Sequence, residues 1–230
     1  MSRVKSRLWR VRPHRSVDWR LRQSSVAWFY FRFRLKRPIS LRLDPPTIAE
    51  LATGRYAEAV EVYEDVSERF SSSIPLRLLA AQAYRFSGND LLATRLLDQI
   101  PQLINAAPWR FSDRNNLLAI GGFLLSRGED PRVVLREFYD RALKADPSFV
   151  EAHTAIAELA LDKADYQEAV KSLTAAIELR PEDPHLHVLL ARAWVASDAQ
   201  RTNQALQAAL KIDPNHVDAL LMQSQNLIDG

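Results

Sequence analysis

Acid–base or metal chemistry in this chain would have to start from its five histidines, His14, His153, His185, His187 and His216. There is no cysteine, which excludes disulfides, thiolate metal sites and cysteine nucleophiles. His185 and His187 are two apart, so on a helix their side chains point about 200° away from each other. Glu158 and Asp162 lie one helical turn apart and could form a carboxylate pair for acid–base work. A solvated acidic face explains them as well, because nothing apolar nearby would favour the protonated form. Gly121-Gly122 would cradle phosphate only if Leu117–Leu125 were not helical. The chain holds no H-E-x-x-H, G-x-S-x-G, P-loop or G-x-G-x-x-G. We expect no catalytic residue, no metal and no cofactor.

The elements that would position these residues divide by charge. Residues 1–43 carry 13 Lys+Arg against a single acid, Asp18, while residues 44–230 carry 18 Lys+Arg against 27 Asp+Glu. An acidic body therefore follows a basic arm, and the formal net charge of +3 describes neither. A hydrophobic content of 47% suits a folded body. The longest apolar runs, Val26–Phe31 and Leu117–Leu125, fall far short of the ~18 residues of a membrane span.

The body repeats itself. Gly54-Arg55-Tyr56-Ala57-Glu58-Ala59 recurs as Gly88-Asn89-Asp90-Leu91-Leu92-Ala93, and Pro147, Pro181 and Pro214 close three similar phrases. Between these ends runs a column of small residues: Ala81, Gly121, Ala157, Ala191 and Ser224. In the clearest unit the apolar spacing predicts a helix over Val150–Asp162, a turn at Lys163–Asp165 and a helix over Tyr166–Leu179. The small residue lets the two helices cross closely. Each closing proline stops the second helix, because the residue before it is pushed out of the α region. Asp130-Pro131 reads as a helix start, and Thr47-Ile48-Ala49-Glu50 as a capping box.

These units resemble tetratricopeptide repeats (TPR). In Val150–Pro181, His153, Ile156, Ala157 and Ala160 stand at the W, L, G and Y positions of that pattern, followed by Ala169, Leu173, Ala176 and Pro181. In Pro184–Pro214, Leu190-Ala191 and Trp194 match, with one residue fewer in the turn. The resemblance implies an all-α, right-handed superhelical solenoid of about five helix pairs over residues 45–230, the last incomplete, with residues 1–44 as an arm. It also makes His153 and His187 seam-filling residues rather than ligands. The expected core includes Tyr84, Leu97, Leu124, Tyr139, Ala157, Leu173, Ala191, Trp194 and Leu210. Three departures stand out: a first unit with a short first helix, an insertion at Pro101–Asn115, and a longer turn at Arg127–Pro131. Gly230 falls where the family turns into a second helix, so we expect the N-terminal repeat region of a longer bacterial protein. Val217–Ile228 would then expose Leu220, Leu221, Leu227 and Ile228, which favours a further helix or self-association there.

What the resemblance implies for function is a non-catalytic scaffold for protein–protein interaction. Its first helices would line a concave groove for a peptide or helical segment. Carried over by position, the groove presents Leu78, Gln82 and Arg85, then Leu118 and Leu125, then Thr154, Glu158 and Asp162. Val188, Arg192 and Val195 follow, then Leu221 and Gln225. The subclass that grips chaperone C-terminal carboxylates uses Lys and Asn from adjacent repeats. Here the matching places hold Leu78 and Gln82, Leu118 and Gly122, Thr154 and Glu158, so that clamp is absent. A non-catalytic front part of a larger hydrolase is the enzymatic alternative.

The arm offers a different set of partners. Val4, Leu8 and Val11 form a narrow stripe flanked by arginines, and Phe29, Phe31, Phe33 and Leu35 alternate with Tyr30, Arg32 and Arg34. Such a segment would suit an anionic membrane surface or nucleic acid. With 11 Arg and six Ser it also fits an organellar leader, or a poorly ordered extension. Ser24–Phe31 is too short for a secretory signal, and the cytoplasm is the favoured compartment.

Overall fold

The computed structural model describes residues 54–228. The arm, the Thr47–Glu50 capping box and the first helix of the first unit lie outside the described residues. Every regular element among the described residues is helical, so the expected all-α repeat fold is present. The residues expected as one array divide after Ser126 into two compact units.

The first unit contains α1 (Tyr56–Val66), α2 (Ile74–Phe86), α3 (Asp90–Ala106), a 3-10 turn (Pro108–Phe111) and α4 (Arg114–Ser126). The α2 helix starts at Ser73, whose side chain accepts from the Leu76 N–H, and Asn89 caps α3 in the same manner through Leu92. Tyr63, Val66, Leu76, Ala80, Ala81, Tyr84 and Ala93 form its core. The expected insertion at Pro101–Asn115 is partly helical, because α3 runs through Pro101 to Ala106. Pro101 removes one backbone donor, yet Ile100 beside it is fully buried, and that burial keeps the segment in place. Asn116 then ties the start of α4 to the start of α2. Its Oδ1 accepts from the Ile74 N–H at 2.8 Å and its Nδ2 donates to the Ser72 carbonyl at 3.1 Å.

The second unit begins with α5 (Pro131–Val134), a π turn (Leu135–Tyr139) and α6 (Asp140–Ala145). Then come α7 (Val150–Asp162), α8 (Tyr166–Leu179), α9 (Pro184–Trp194), α10 (Ala199–Ile212) and α11 (Val217–Ile228). Asp130 caps α5 with Pro131 at the first helical position, as expected. The helices α6, α8 and α10 end at Ala145, Leu179 and Ile212, and the next residues, Asp146, Arg180 and Asp213, leave the α region ahead of proline. Ala157 is fully buried among Val150, Ala160, Ala169, Leu173 and Ala176. Ala191 is fully buried with Val188, Ala205, Leu206, Ala209 and Ala219. Of the expected core, Tyr84, Tyr139, Ala157, Leu173 and Ala191 are buried, while Leu97, Leu124, Trp194 and Leu210 are half-buried. Ser224, the last of the small column, is exposed, because no described helix crosses it.

One turn position explains its own residue type. Gly54, Gly88 and Gly128 have φ of +81°, +84° and +85°, the left-handed region that only glycine enters without strain. A Cβ there would meet nothing within 4 Å, so the constraint is the dihedral angle and not space. In the α7–α8 turn the position holds Ala164, at φ 57°, which stores strain of about 1 kcal/mol.

Ala164→Gly should leave stability unchanged or raise it by up to about 1 kcal/mol, whereas Gly88→Ala should lower it by a similar amount, both read from urea unfolding. Ala157→Leu should cost about 1–3 kcal/mol or more through overpacking; an unfolding midpoint equal to that of the parent would show that α7 and α8 do not cross there.

Candidate functional site

The first helices of the repeats were the expected binding surface. In the first unit these are α2 and α4. Leu78 and Gln82 are half-buried and Arg85 is exposed on α2, while on α4 Leu118 is buried and Leu125 half-buried. Gly121 is buried within α4 and Gly122 half-buried. Their N–H groups belong to the helix, so no phosphate loop exists there.

In the second unit the first helices are α7, α9 and α11. Thr154 is buried, and its hydroxyl donates back to the Val150 carbonyl at 2.9 Å. Val188 is fully buried against Ala205, Leu206 and Ala219. Leu118, Thr154 and Val188 therefore have little or no surface for a partner, and for Val188 the reason is that its face meets the next first helix. The same repeat position at the far end holds Leu221, which is 61% exposed. Glu158 and Arg192 are half-buried and Gln225 is exposed, and they too share one repeat position. Asp162 is exposed and pairs with Lys163 at 2.9 Å. Val195 is 51% exposed just past the end of α9. What this surface offers is polar groups on α9 and α11, with exposed apolar residues at Leu221 and just past α9.

Two histidines hold the repeats together. His153 Nε2 lies 3.0 Å from the Pro147 carbonyl, and His187 Nε2 lies 3.0 Å from the Pro181 carbonyl. A carbonyl only accepts, so Nε2 carries the proton and each ring ties a first helix to the turn before it. Where neighbouring repeats have aspartate before proline, Arg180 instead reaches Glu151 at 2.9 Å, with the Glu151 side chain only 10% exposed. Arg201 also lies over the Trp194 ring at 4.5 Å.

A second group was not legible in the sequence. His185 near the start of α9, His216 just before α11 and Asp218 in its first turn converge, with one ligand-type atom from each within 4.8 Å of the others. Glu158 reaches the same place from α7, its Oε1 3.7 Å from His185 Nε2. Its Oε2 is enclosed without a hydrogen-bond partner. These residues span three repeats, and pairing His185 with its sequence neighbour His187 concealed the grouping. Two histidines near the starts of successive first helices were the available signal.

The first unit holds the clearest electrostatic perturbation. Tyr84 donates to Glu64 Oε1 at 2.6 Å. Burial pushes its phenol up from the ordinary value, and the hydrogen bond to Glu64 raises it further. Tyr63, edge-on to Tyr84 at 6.4 Å, is also raised, chiefly by burial.

Residues 135–184 and 154–217 match the tetratricopeptide-repeat family model. The ETO1-like protein 2 of Arabidopsis thaliana is 32% identical over 91 residues, which are 40% of this chain and 10% of that protein. The chain thus matches only a tenth of that relative's length. A thermophilic TPR protein of Thermus thermophilus superposes with a TM-score of 0.58 at 18% identity, covering 79% of this chain and 95% of that one. YrrB, described as a TPR protein with an unusual peptide-binding site, gives a TM-score of 0.49 at 17% identity, over 77% of this chain and 88% of its own.

Because both phenols are raised when folded, the native chain keeps protons that the unfolded chain releases near the ordinary tyrosine value of 10.0. The stabilisation is complete below that pH and is lost as pH rises above it. Denaturant midpoints should therefore fall above pH 10 in the parent and fall less steeply in Tyr84→Phe. Equal pH dependence in the two proteins would contradict the burial of this hydrogen bond.

Proposed function

We propose that this chain, whose residues 135–217 match tetratricopeptide repeats, works as a non-catalytic scaffold that binds a segment of another protein on its first helices. The observation that carries this reading is the surface of α7, α9 and α11. Interior positions such as Val188 are committed to packing, while Arg192 and Gln225 recur at one repeat position, with Leu221 exposed on α11 and Val195 exposed just past α9. Alternating polar and apolar points suit an amphipathic segment, whose apolar anchors recur at helical spacing. Among the described residues no helix is long and apolar enough to cross a membrane.

The arm supports a second mode, because 13 Lys+Arg against one acid would attract an anionic membrane surface or nucleic acid. The test separates the two. Proteins captured from a lysate by the full chain should also be captured by residues 45–230. Their capture should be lost in the full chain carrying Arg192→Glu, Val195→Asp and Leu221→Asp, three changes on wholly or partly accessible side chains. Capture that requires residues 1–43 and survives the triple substitution would replace the scaffold reading with the arm-based one.

A further inference from the structure

We propose that His185, His216 and Asp218 form a binding site for one divalent transition-metal ion of the zinc class. The three residues come from the starts of two successive first helices and offer two nitrogens and one carboxylate oxygen within 4.8 Å of one another. Imidazole and carboxylate are the donors that such ions take in the absence of thiolate. Two donors on one tetrahedral zinc ion lie about 3.4 Å apart, so a pair at the 4.8 Å limit has to close by about 1.4 Å when the ion binds.

A second observation points to a cation independently of the donor count. The Glu158 side chain is 10% exposed, its Oε1 sits 3.7 Å from His185 Nε2, and its Oε2 is enclosed with no hydrogen-bond partner. A buried carboxylate oxygen without a partner is costly. A doubly charged ion beside His185 supplies the missing countercharge, and Glu158 positions the ring from the α7 side. His216 Nδ1 accepts from the Ala219 N–H at the long distance of 3.4 Å, so the metal takes Nε2. The ring proton then moves to Nδ1, and that weak cap is given up. His216 is 4% exposed whereas His185 and Asp218 are half-buried, so one side of the cluster is fixed and the other is open to solvent. An ion held there would join α9 to α11, with α7 closing the pocket through Glu158.

The test is calorimetric titration of the full chain with zinc chloride alone, repeated on variants with unchanged circular dichroism. The parent should bind one ion saturably. His185→Ala, Asp218→Asn and His216→Asn should each weaken binding at least about tenfold; the asparagine at 216 keeps an oxygen to cap α11. The control, His153→Ala with His187→Ala, should bind zinc like the parent. Zinc should also raise the thermal midpoint of the parent and leave that of His185→Ala unchanged. No saturable binding by the parent, equal binding by His185→Ala, or an equal loss in the control would overturn the site.

Discussion

The structure depends on the close approach of two helices at a side chain small enough to allow it. Ala157 and Ala191 are both fully buried, each between a first helix and its neighbours. With a methyl group at the crossing, the larger residues on either side interlock: Leu173, Leu186 and Leu189 around the first, Val188 and Leu206 around the second. Each repeat then buries its apolar face only against adjacent repeats, so its stability is a sum of local interfaces. The turns serve the same crossing. A left-handed residue in several of them, Gly88, Gly128 and Ala164 among these, and a non-helical residue before proline in others, end one helix and turn the chain toward the next.

This constraint also decides which residues are left for function. A first helix with a neighbour on each side commits part of its surface to packing. The position shared by Thr154 and Val188 is consumed in that way, while Leu221 at the same position is open. What remains accessible is a rigidly spaced set of polar groups and a few apolar points. That suits recognition of another chain better than chemistry, which needs groups converging on one reacting atom. Among the described residues, Glu158, His185, His216 and Asp218 do converge, from three successive repeats.

Much of the fold was legible because its causes are local. The recurrence of proline at 147, 181 and 214, the cap at Asp130, and the spacing of Ala157 from Leu173 all act within one repeat. The helices α7, α8 and α11 have the bounds that the apolar spacing predicts. What was not legible depends on neighbours further away. The continuation of α3 through Pro101 rests on the burial of Ile100. The π turn at Leu135–Tyr139 leaves no mark in residue type. The candidate surface was legible as a set of positions, but the burial of Val188 by the next repeat was not, since helical spacing alone does not tell which flank of a helix is covered.

Alanine-centred crossings between neighbouring helices carry the stability of the second unit, and native-state amide hydrogen exchange reads this residue by residue. Residues 155–160 and 188–193 should be the slowest to exchange, their opening free energies should match those of the facing parts of α8 and α10, and α11 should exchange faster. Exchange at 155–160 and 188–193 as fast as in α11, or α7 opening independently of α8, would contradict it.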